Sequence, residues 1–391
     1  MRLLLLSFYY QPDLSAGSFR ATALVKALRE QMPAGSHIDV ITTMPNRYQS
    51  FSQQAAEVES EPGLEVRRIA IPAHSSDMLG QSRSFMTFAR EVRKVVKHRD
   101  YDLVCATSSR LMTAWLSASI ARRKRIPLYL DIRDLFVDTI YDVLSGPAAW
   151  PIKQVFSRVE SWTMRRANRI NAVSRGFEGY FRERYPQVPM AFFTNGIDDE
   201  FLNVPAAPPT TKTDGRAVVL YAGNLGEGQG LHHILPGMAR ALSDRVRFVV
   251  IGDGGRRRDL ETAVAGLSNV ELRKPVQRAD LIGAYQAADV LFLHLGDYAA
   301  FEKVLPSKLF EYAALGKPVL AGVAGYAAQF VREEITNSAV FAPCDVEAGV
   351  AAFSSLQLRD EPRPEFIAKH SRSNIARAMA RDILALVSPG R

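Results

Sequence analysis

The chain has 391 residues, with 49 Lys and Arg against 41 Asp and Glu, which gives a formal net charge of +8. This length predicts two globular domains, and a content of 47% hydrophobic and 23% charged residues excludes disordered, fibrous and collagen-like proteins. The two cysteines, Cys105 and Cys344, lie far apart without a Cys-x-x-Cys or Cys/His spacing. We therefore expect no disulfide scaffold, no structural zinc site and a reducing compartment.

The chain opens on Arg2 and a mostly apolar run over residues 3–10 that looks like a short signal peptide. Pro12 and Asp13 follow without a convincing cleavage site. No apolar run approaches the roughly 18–20 residues of a membrane-spanning helix. We interpret the run as a buried first β-strand and expect a cytoplasmic protein.

Short apolar runs alternate with helical stretches along the whole chain. In the first half the predicted strands are Arg2–Phe8, His37–Thr42, Leu64–Ile71, Tyr101–Ala106, Pro127–Ile132, Arg169–Val173 and Ala191–Thr194. In the second half they are Ala217–Ala222, Val246–Ile251, Val270–Leu272, Asp289–His294 and Pro318–Ala321. The predicted helices are Phe19–Gln31, Phe85–His98, Thr113–Arg123, Gly230–Leu242, Arg257–Ala265 and Ser307–Leu315. Apolar strands that alternate with helices predict parallel sheets covered on both faces, and so a doubly wound α/β fold that occurs twice.

A Pro-, Ala- and Thr-rich segment over residues 203–215 separates the two halves and indicates a linker. We therefore predict Rossmann-like domains over residues 1–202 and 216–373. A C-terminal helix over about residues 374–391 is expected to pack back onto the first domain; the apolar residues at helical spacing are Ile367, Ile375, Met379, Ile383 and Leu386. We expect the domains to face each other across a cleft, with ligands beyond the carboxyl ends of the strands.

Two glycine-containing loops follow predicted strands. The first holds Gly17 and opens a helix, with Arg20 one turn further on. The N–H groups at a helix start suit a phosphate, although a plain turn is the alternative for a loop with one glycine. The second, residues 220–230, has four glycines, which let the backbone approach a ligand closely. A Gly-Asp-Gly-Gly run over residues 252–255 ends the next strand.

The most informative segment covers residues 301–319. A Pro-Ser pair at 306–307 predicts the start of a helix, and Gly-Lys-Pro at 316–318 predicts its end. Lys308 would lie in the first turn, where a cation opposes the helix dipole at a cost of about 0.3 kcal/mol, which suggests an anionic partner. Glu311 lies three residues later on the same helix face. The two side chains either form a salt bridge with each other, or Lys308 binds a diphosphate while Glu311 binds ribose hydroxyls.

In this order, these segments resemble the retaining, nucleotide-sugar-dependent glycosyltransferases of family four, which have the GT-B fold. The resemblance covers nearly the whole chain. It is carried by the Gly17 loop, Val173-Ser174, Asn195-Gly196-Ile197-Asp198, the Gly223 loop, Gly252-Asp253-Gly254, Glu311-Tyr312-Ala313 and Gly316-Lys317-Pro318-Val319. The segments Asp131–Leu135 and Pro306–Lys308 are similar to the subgroup that builds O-antigen, capsule and other surface polysaccharides.

The resemblance implies transfer of a sugar from a nucleotide diphosphate, UDP by preference, with anomeric retention. The second domain would bind this donor and the first domain the acceptor. In the family's paired-glutamate motif, Glu311 is the ribose ligand, while Lys303 stands in place of the first glutamate. Asn224 and Gln229 stand where the family has the Arg and Lys that neutralise the diphosphate.

We predict that Lys308 neutralises the diphosphate instead, helped by Arg20 or Lys303 and by the backbone amides of residues 223–230. The other predicted donor contacts are Gly17, Gly223, Asn224, Gln229, Ser307, Leu309 and, beside the base, Lys274 and Val276. His232, His233 and His294 are donor contacts or, as the alternative, structural histidines.

The catalytic histidine of many family members is absent, and the Asp131–Asp134 segment occupies its stretch. We predict Asp134 and Arg133 as catalytic residues on the acceptor side, with Asp134 as the base or as the group that orients the accepting hydroxyl. An ion pair inside the domain is the alternative role for both. Asp100-Tyr101-Asp102 matches the metal-binding Asp-x-Asp pattern, but it precedes its strand and so lies at the end away from the expected ligand site. We therefore predict no metal and no other cofactor.

The positive charge concentrates in residues 83–125, with eleven basic and three acidic residues. These residues form solvated helix ends, a surface for anionic phospholipid, or a nucleic-acid surface. The last alternative has the least support, because the segment has no interleaved aromatic residues and no nucleic-acid-binding motif. We expect a peripheral protein at the inner membrane face. Its acceptor would be lipid-linked, on polyprenyl diphosphate, or an oligosaccharide, and no nucleic acid would bind.

Two other functions stay open from the sequence. A sugar-nucleotide 2-epimerase on the same fold would form product without an acceptor. A non-enzymatic protein that binds anionic surfaces would have no nucleotide affinity.

Overall fold

The computed structural model describes residues 1–13, 15–45, 55–72, 78–108, 110–137, 150–202, 204 and 215–387. They form two compact units, one of Met1–Asn195 with Arg372–Arg391 and the other of Gly196–Ser371. Most of the predicted linker over residues 203–215 lies outside the described residues. The predicted arrangement of the two domains around a cleft stays a prediction.

The first unit alternates strands and helices. Its strands are β1 Arg2–Ser7, β2 His37–Thr43, β3 Val58–Glu61, β4 Leu64–Ile69, β5 Leu103–Ser108, β6 Leu128–Ile132, β7 Arg169–Ala172 and β8 Met190–Ala191. Its helices up to that point are α1 Ala16–Gln31, α2 Met78–Lys97, α3 Leu111–Lys124, α4 Trp150–Met164 and α5 Glu178–Arg184.

The strand order of the first sheet is β3-β4-β2-β1-β5-β6-β7-β8, and all described pairings are parallel except that of β3 with β4. The apolar run at the start of the chain is the central strand β1, where Leu3 to Leu6 are fully buried. Helices on both sides of a parallel sheet explain why such a strand is apolar on both faces. The short edge strand β3 was not predicted, because its Val-Glu-Ser-Glu sequence is mostly polar and exposed.

The second unit repeats this architecture. Its strands are β9 Ala217–Asn224, β10 Val246–Asp253, β11 Val270–Arg273, β12 Val290–His294, β13 Val319–Gly322 and β14 Ser338–Phe341. Its helices are α6 Leu231–Ala241, α7 Arg257–Ala263, α8 Arg278–Ala287, α9 Lys308–Ala314, α10 Gly325–Glu334, α11 Val346–Ser355 and α12 Pro364–His370. The sheet is parallel in the order β11-β10-β9-β12-β13-β14, and β14 was not predicted from its four residues.

The end of the chain returns to the first unit as helix α13, Arg372–Leu384. Met379 and Ile383 join the core formed by β1 and α1, where Leu24 is buried with them. The helix predicted over about residues 374–391 corresponds to α13, whereas Ile367, which was placed in the same apolar pattern, belongs to α12 on the other side of Ser371. Ile197 forms a parallel bridge with Ser371. The second unit begins at Gly196, before the end of the predicted first domain at residue 202.

Candidate functional site

Lys308 lies beside the end of β9 in the second unit. Its Nζ is 4.3 Å from the centroid of the Tyr221 ring and 3.3 Å from the Tyr221 hydroxyl, to which it donates a hydrogen bond. An ammonium over an aromatic face is attracted by the ring quadrupole. Tyr221 therefore holds the Lys308 ammonium at the carboxyl edge of the sheet, where the sequence predicts the donor phosphates.

Gly223 makes room for this ammonium. A Cβ at residue 223 would lie 2.0 Å from Nζ of Lys308 and 2.5 Å from its Cε. The backbone of Gly223 has φ +145°, a region that L side chains rarely adopt. The glycine is thus required twice, once for its backbone and once for the lysine.

Burial lowers the pKa of Lys308 from 10.5 to about 8, and the charge of Glu311 opposes this shift. Desolvation disfavours a lone ammonium, while a nearby anion favours it. The lysine is thus a cation at neutral pH in a place where its charge is poorly compensated. An anionic ligand at this position would restore the balance.

Glu311, one turn after Lys308, is held from the opposite side. Its carboxylate lies 3.7 Å from Nη1 of Arg278 and accepts a 3.4 Å hydrogen bond from the Tyr285 hydroxyl. Its side chain is 13% exposed. The alternative left open by the sequence was a salt bridge between Glu311 and Lys308, whereas the ion pair seen here joins Glu311 to Arg278.

Arg278 connects Glu311 to the first residues of the second unit. Its guanidinium forms ion pairs with Asp198 and Glu200 and lies over the Phe201 ring. Burial lowers the pKa of Arg278, but these carboxylates outweigh it and raise the pKa above its usual value. Arg278 therefore stays charged and holds the Glu311 side chain in place through an ion pair.

The glycine-rich loop after β9 is held by its own side chains. Asn224 donates a 2.6 Å hydrogen bond to Oε1 of Gln229, which also accepts from the Gly226 amide at 3.2 Å. The hydroxyl of Tyr221 donates to the Asn224 carbonyl at 2.7 Å. The two uncharged residues thus bind each other and shape the loop.

His294 supports the same loop from within the core. Its Nε2 accepts a hydrogen bond from the Cys344 amide at 3.0 Å, so Nδ1 carries the proton and donates to the Gln229 carbonyl at 2.7 Å. Burial lowers the pKa of His294 to about 4, which keeps it neutral. His294 is therefore a structural histidine, the alternative that the sequence left open.

The remaining predicted donor residues of the second unit occupy different environments. Lys274 and Val276 are exposed between β11 and α8. Ser307 directly precedes α9, and Lys303 ends a short 3₁₀ turn before it. The Leu309 side chain is fully buried in the core and its amide donates to the Pro306 carbonyl, and its predicted contact with the donor stays a prediction.

In the first unit, Arg20 is part of an internal ion pair. Its guanidinium binds both carboxylate oxygens of Asp131, at 2.8 and 2.9 Å, and donates to the Phe193 and Thr194 carbonyls at 2.7 Å. Although burial raises the pKa of Asp131, Arg20 and Asn171 hold it below its usual value. The structure thus places Arg20 in a buried bidentate pair, which corrects its predicted contact with a phosphate.

The two predicted catalytic residues of this stretch, Arg133 and Asp134, follow the end of β6. Asp134 is partly exposed, and it is the carboxylate with the largest effect on Arg133. A Cβ at residue 17 would lie 2.3 Å from Nη1 of Arg133. The structure thus brings Gly17 and Arg133 together, and the catalytic role of Asp134 stays a prediction.

Within the described residues, one group of side chains has metal-ligating geometry: Glu227, His232 and His233 offer ligand atoms within 4.8 Å of one another. Both oxygens of Glu227 already have partners, since one pairs with Arg256 and the other accepts from the Tyr298 hydroxyl. Asp102, from the Asp-x-Asp triplet, accepts from the Arg2 amide at the amino end of β5. That metal is not required stays a prediction.

Sequence reasoning missed three residues of this site. Tyr221 sits two residues before Gly223 on β9, a position whose orientation a strand pattern alone could have suggested. Arg278 and Tyr285 lie on α8 and reach Glu311 only through the fold. No local sequence pattern marks them.

Comparisons with known proteins identify the family of this chain. A sequence profile for the glycosyl transferase 4-like domain matches residues 18–196, and one for glycosyl transferases group 1 matches residues 216–358. A stretch of 105 residues is 32% identical to WcaI of Escherichia coli (strain K12), described as a colanic acid biosynthesis glycosyl transferase, and covers 26% of each protein. The chain is thus aligned with about a quarter of that relative.

Two solved structures resemble the whole chain. Sucrose-phosphate synthase from Thermosynechococcus elongatus matches with a TM-score of 0.66 and 16% identity over 99% of this chain and 96% of that one. HepE of Anabaena, solved in complex with UDP, matches with a TM-score of 0.61 and 17% identity over 99% and 97%. At these identities the likeness shows the GT-B fold alone. Both halves of the chain match profiles of one family, so the protein belongs to the family-four glycosyltransferases of the GT-B fold.

Proposed function

We propose that this glycosyltransferase moves a sugar from UDP to a lipid-linked acceptor during surface polysaccharide synthesis, with retention of the anomeric configuration and without a metal. The observation that carries the donor side is the Lys308 ammonium over Tyr221, with Glu311 one turn away. The UDP complex of HepE and the colanic acid assignment of WcaI support the nucleotide and the pathway class.

On the donor side, we assign the diphosphate to Lys308 and the ribose hydroxyls to Glu311. When the bond from C1 of the sugar to the diphosphate oxygen breaks, negative charge grows on that oxygen. A preorganised cation in a poorly hydrated place stabilises this charge at little reorganisation cost. Lys308, partly buried and held by Tyr221, meets this description.

On the acceptor side, the accepting hydroxyl oxygen forms the new bond to C1 and loses its proton. We assign Asp134 to this hydroxyl, as the group that takes the proton or orients it. Asp134 is partly exposed at the end of β6, whereas Asp131, three residues earlier, is fully buried and bound to Arg20. Asp134 is therefore the accessible carboxylate of this pair.

For the membrane, we assign the basic surface of α2 and of the end of α3. The exposed side chains of α2 include Met86, 63% exposed, beside Arg90, Arg93 and Lys94. Such a mixture of cations and apolar side chains suits an anionic interface. Among the described residues, no helix combines the length and apolar character that crossing a bilayer requires.

A donor and acceptor screen tests this function. The full chain is incubated with UDP-, GDP- and dTDP-sugars and a detergent-solubilised undecaprenyl diphosphate glycan, and product mass is read by mass spectrometry with and without EDTA. We expect a mass increase of one sugar with a UDP donor, unaffected by EDTA, and NMR of the product should show the anomeric configuration of the donor. Sugar conversion without an acceptor would indicate the epimerase instead.

A further inference from the structure

The guanidinium of Arg133 carries a charge that the fold does not pair. Within the part of the chain that the structure describes, this guanidinium makes no hydrogen bond and no ion pair, and its Nε is buried without a partner. Charged groups with atoms cut off from water are almost always paired, and the partly buried Arg133 is an exception that requires an explanation. Burial lowers the pKa of Arg133, and the nearby carboxylates of Asp134 and Asp131 do not outweigh this effect.

The neighbouring charges compensate for Arg133 only in part. The largest effects on its charge come from two carboxylates that stabilise it, Asp134 and Asp131, and two guanidiniums that oppose it, Arg20 and Arg372. Asp131 already binds Arg20 in a bidentate pair and accepts from Asn171. The buried carboxylate of Asp131 is thus bound to Arg20 and Asn171 rather than to Arg133.

Gly17 forms one wall of the space around this charge. A Cβ at residue 17 would lie 2.3 Å from Nη1 of Arg133, so only glycine lets the guanidinium sit against the backbone of the loop before α1. At the start of α1, Ser15 already caps the helix by accepting from the Ser18 amide. The group available to a ligand is thus the Arg133 guanidinium beside Gly17, not the N-terminus of α1.

We propose that Arg133 and Gly17 form a binding site for a phosphate-type anion carried by the acceptor. This rests on the proposed function, which gives the first unit to the acceptor, while the donor residues Lys308 and Glu311 belong to the second unit. A guanidinium offers two parallel N–H groups that match a phosphate. The acceptor class that fits is a sugar on a diphosphate or phosphate ester, and a neutral oligosaccharide would leave Arg133 uncompensated.

Thermal unfolding of the full chain tests whether Arg133 serves a ligand or the fold. Removing an unpaired charge that is partly withdrawn from water should stabilise the protein, so we expect Arg133→Gln to raise Tm by about 2 °C. Arg182→Gln, at an exposed arginine of the same unit, serves as the control and should leave Tm within about 1 °C. A Tm that falls by several degrees in Arg133→Gln would show a structural role and overturn the proposal.

Calorimetric titration with inorganic pyrophosphate tests the anion site. The background variant is Lys308→Ala, which removes the proposed donor cation. We expect Arg133→Gln and Gly17→Ala, each in this background, to weaken pyrophosphate binding at least tenfold. Gly179→Ala, where a Cβ meets nothing within 4 Å, should leave it unchanged. Equal pyrophosphate affinity in all four proteins would overturn the proposal.

Titration with UDP distinguishes the two sources of phosphate. If the anion belongs to the acceptor, Arg133→Gln alone should keep the UDP affinity of the unmodified protein within about twofold. A tenfold loss would assign the guanidinium to the donor diphosphate and overturn the acceptor assignment. An unmodified protein that binds pyrophosphate through Arg133 but no nucleotide at all would instead contradict the proposed function and leave the anion site standing.

Discussion

Gly223 and Lys308 are far apart in the chain, yet the ammonium of the lysine occupies the space that a side chain at residue 223 would fill, 2.0 Å from where its Cβ would lie. A strand end and a helix start thus share one small volume. The proposed binding of a diphosphate depends on this volume, and the predictions for the second unit follow from it.

Gly223→Ala should displace the Lys308 ammonium and strain the backbone, because residue 223 has φ +145°. We expect UDP to bind at least about tenfold more weakly, a loss of roughly 1.4 kcal/mol or more, measured by calorimetry. Gly283→Ala, where a Cβ has open space, is the matched control and should bind UDP normally. An alanine at residue 223 without effect on UDP would remove Lys308 from the site.

Lys308→Ala should lower turnover by about 100- to 1000-fold, the range found when a group that stabilises developing negative charge is removed. Lys308→Arg keeps the charge and should recover part of the rate. Steady-state kinetics with the donor identified in the screen measures both, and circular dichroism confirms folding. Full activity in the alanine variant contradicts the phosphate assignment.

The lowered pKa of Lys308, about 8, predicts how binding depends on pH. Above pH 8 the free protein loses the ammonium, so UDP affinity should fall, and binding near pH 8 should be accompanied by proton uptake. The free energy of unfolding should change in the opposite direction. Between pH 8 and the usual lysine pKa of about 10.5, this lysine binds more protons in the unfolded chain than in the folded one. Its contribution to the free energy of unfolding therefore increases as the pH rises through this range. Calorimetry in buffers of different ionisation enthalpy detects the proton, and Lys308→Arg should abolish its uptake.

Glu311→Ala should weaken UDP binding by about 10- to 100-fold, the loss expected for hydrogen bonds to a charged group. The role on the ribose is tested by repeating the titration with 2′-deoxy- and 3′-deoxy-UDP. If Glu311 binds the ribose hydroxyls, the variant and the unmodified protein should differ less with the analogue that lacks the bound hydroxyl. The same loss with every nucleotide would indicate that Glu311 acts through Arg278 instead.

Neutralising Arg122, Arg123, Lys124 and Arg125 together should reduce sedimentation with anionic phospholipid vesicles by at least about tenfold, since each basic residue near such a surface contributes about 1 kcal/mol. The matched control changes the same number of exposed arginines in the second unit, at Arg240, Arg258, Arg332 and Arg359. Equal binding by the two variants would show a general charge effect. Unchanged binding in the first variant would identify the run as a solvated helix end.

Much of the fold was predictable from the sequence. Apolar strands that alternate with helices determined the parallel sheets, because a strand covered on both faces must be apolar throughout, as Leu3 to Leu6 are in β1. The short edge strands β3 and β14 were not predicted, because they have few buried residues and therefore no continuous apolar run. The order of the motifs also determined the family.

The pairing of distant side chains was decided only by the tertiary structure. The sequence does not distinguish the surroundings of Arg20 from those of Arg133. In the folded chain Arg20 forms a bidentate pair with Asp131, whereas Arg133 lies beside Gly17. Arg278 gained its role when α8 packed near Glu311. Periodicity records which face of an element is buried, whereas the partner of a charge depends on distances between elements that no local pattern contains.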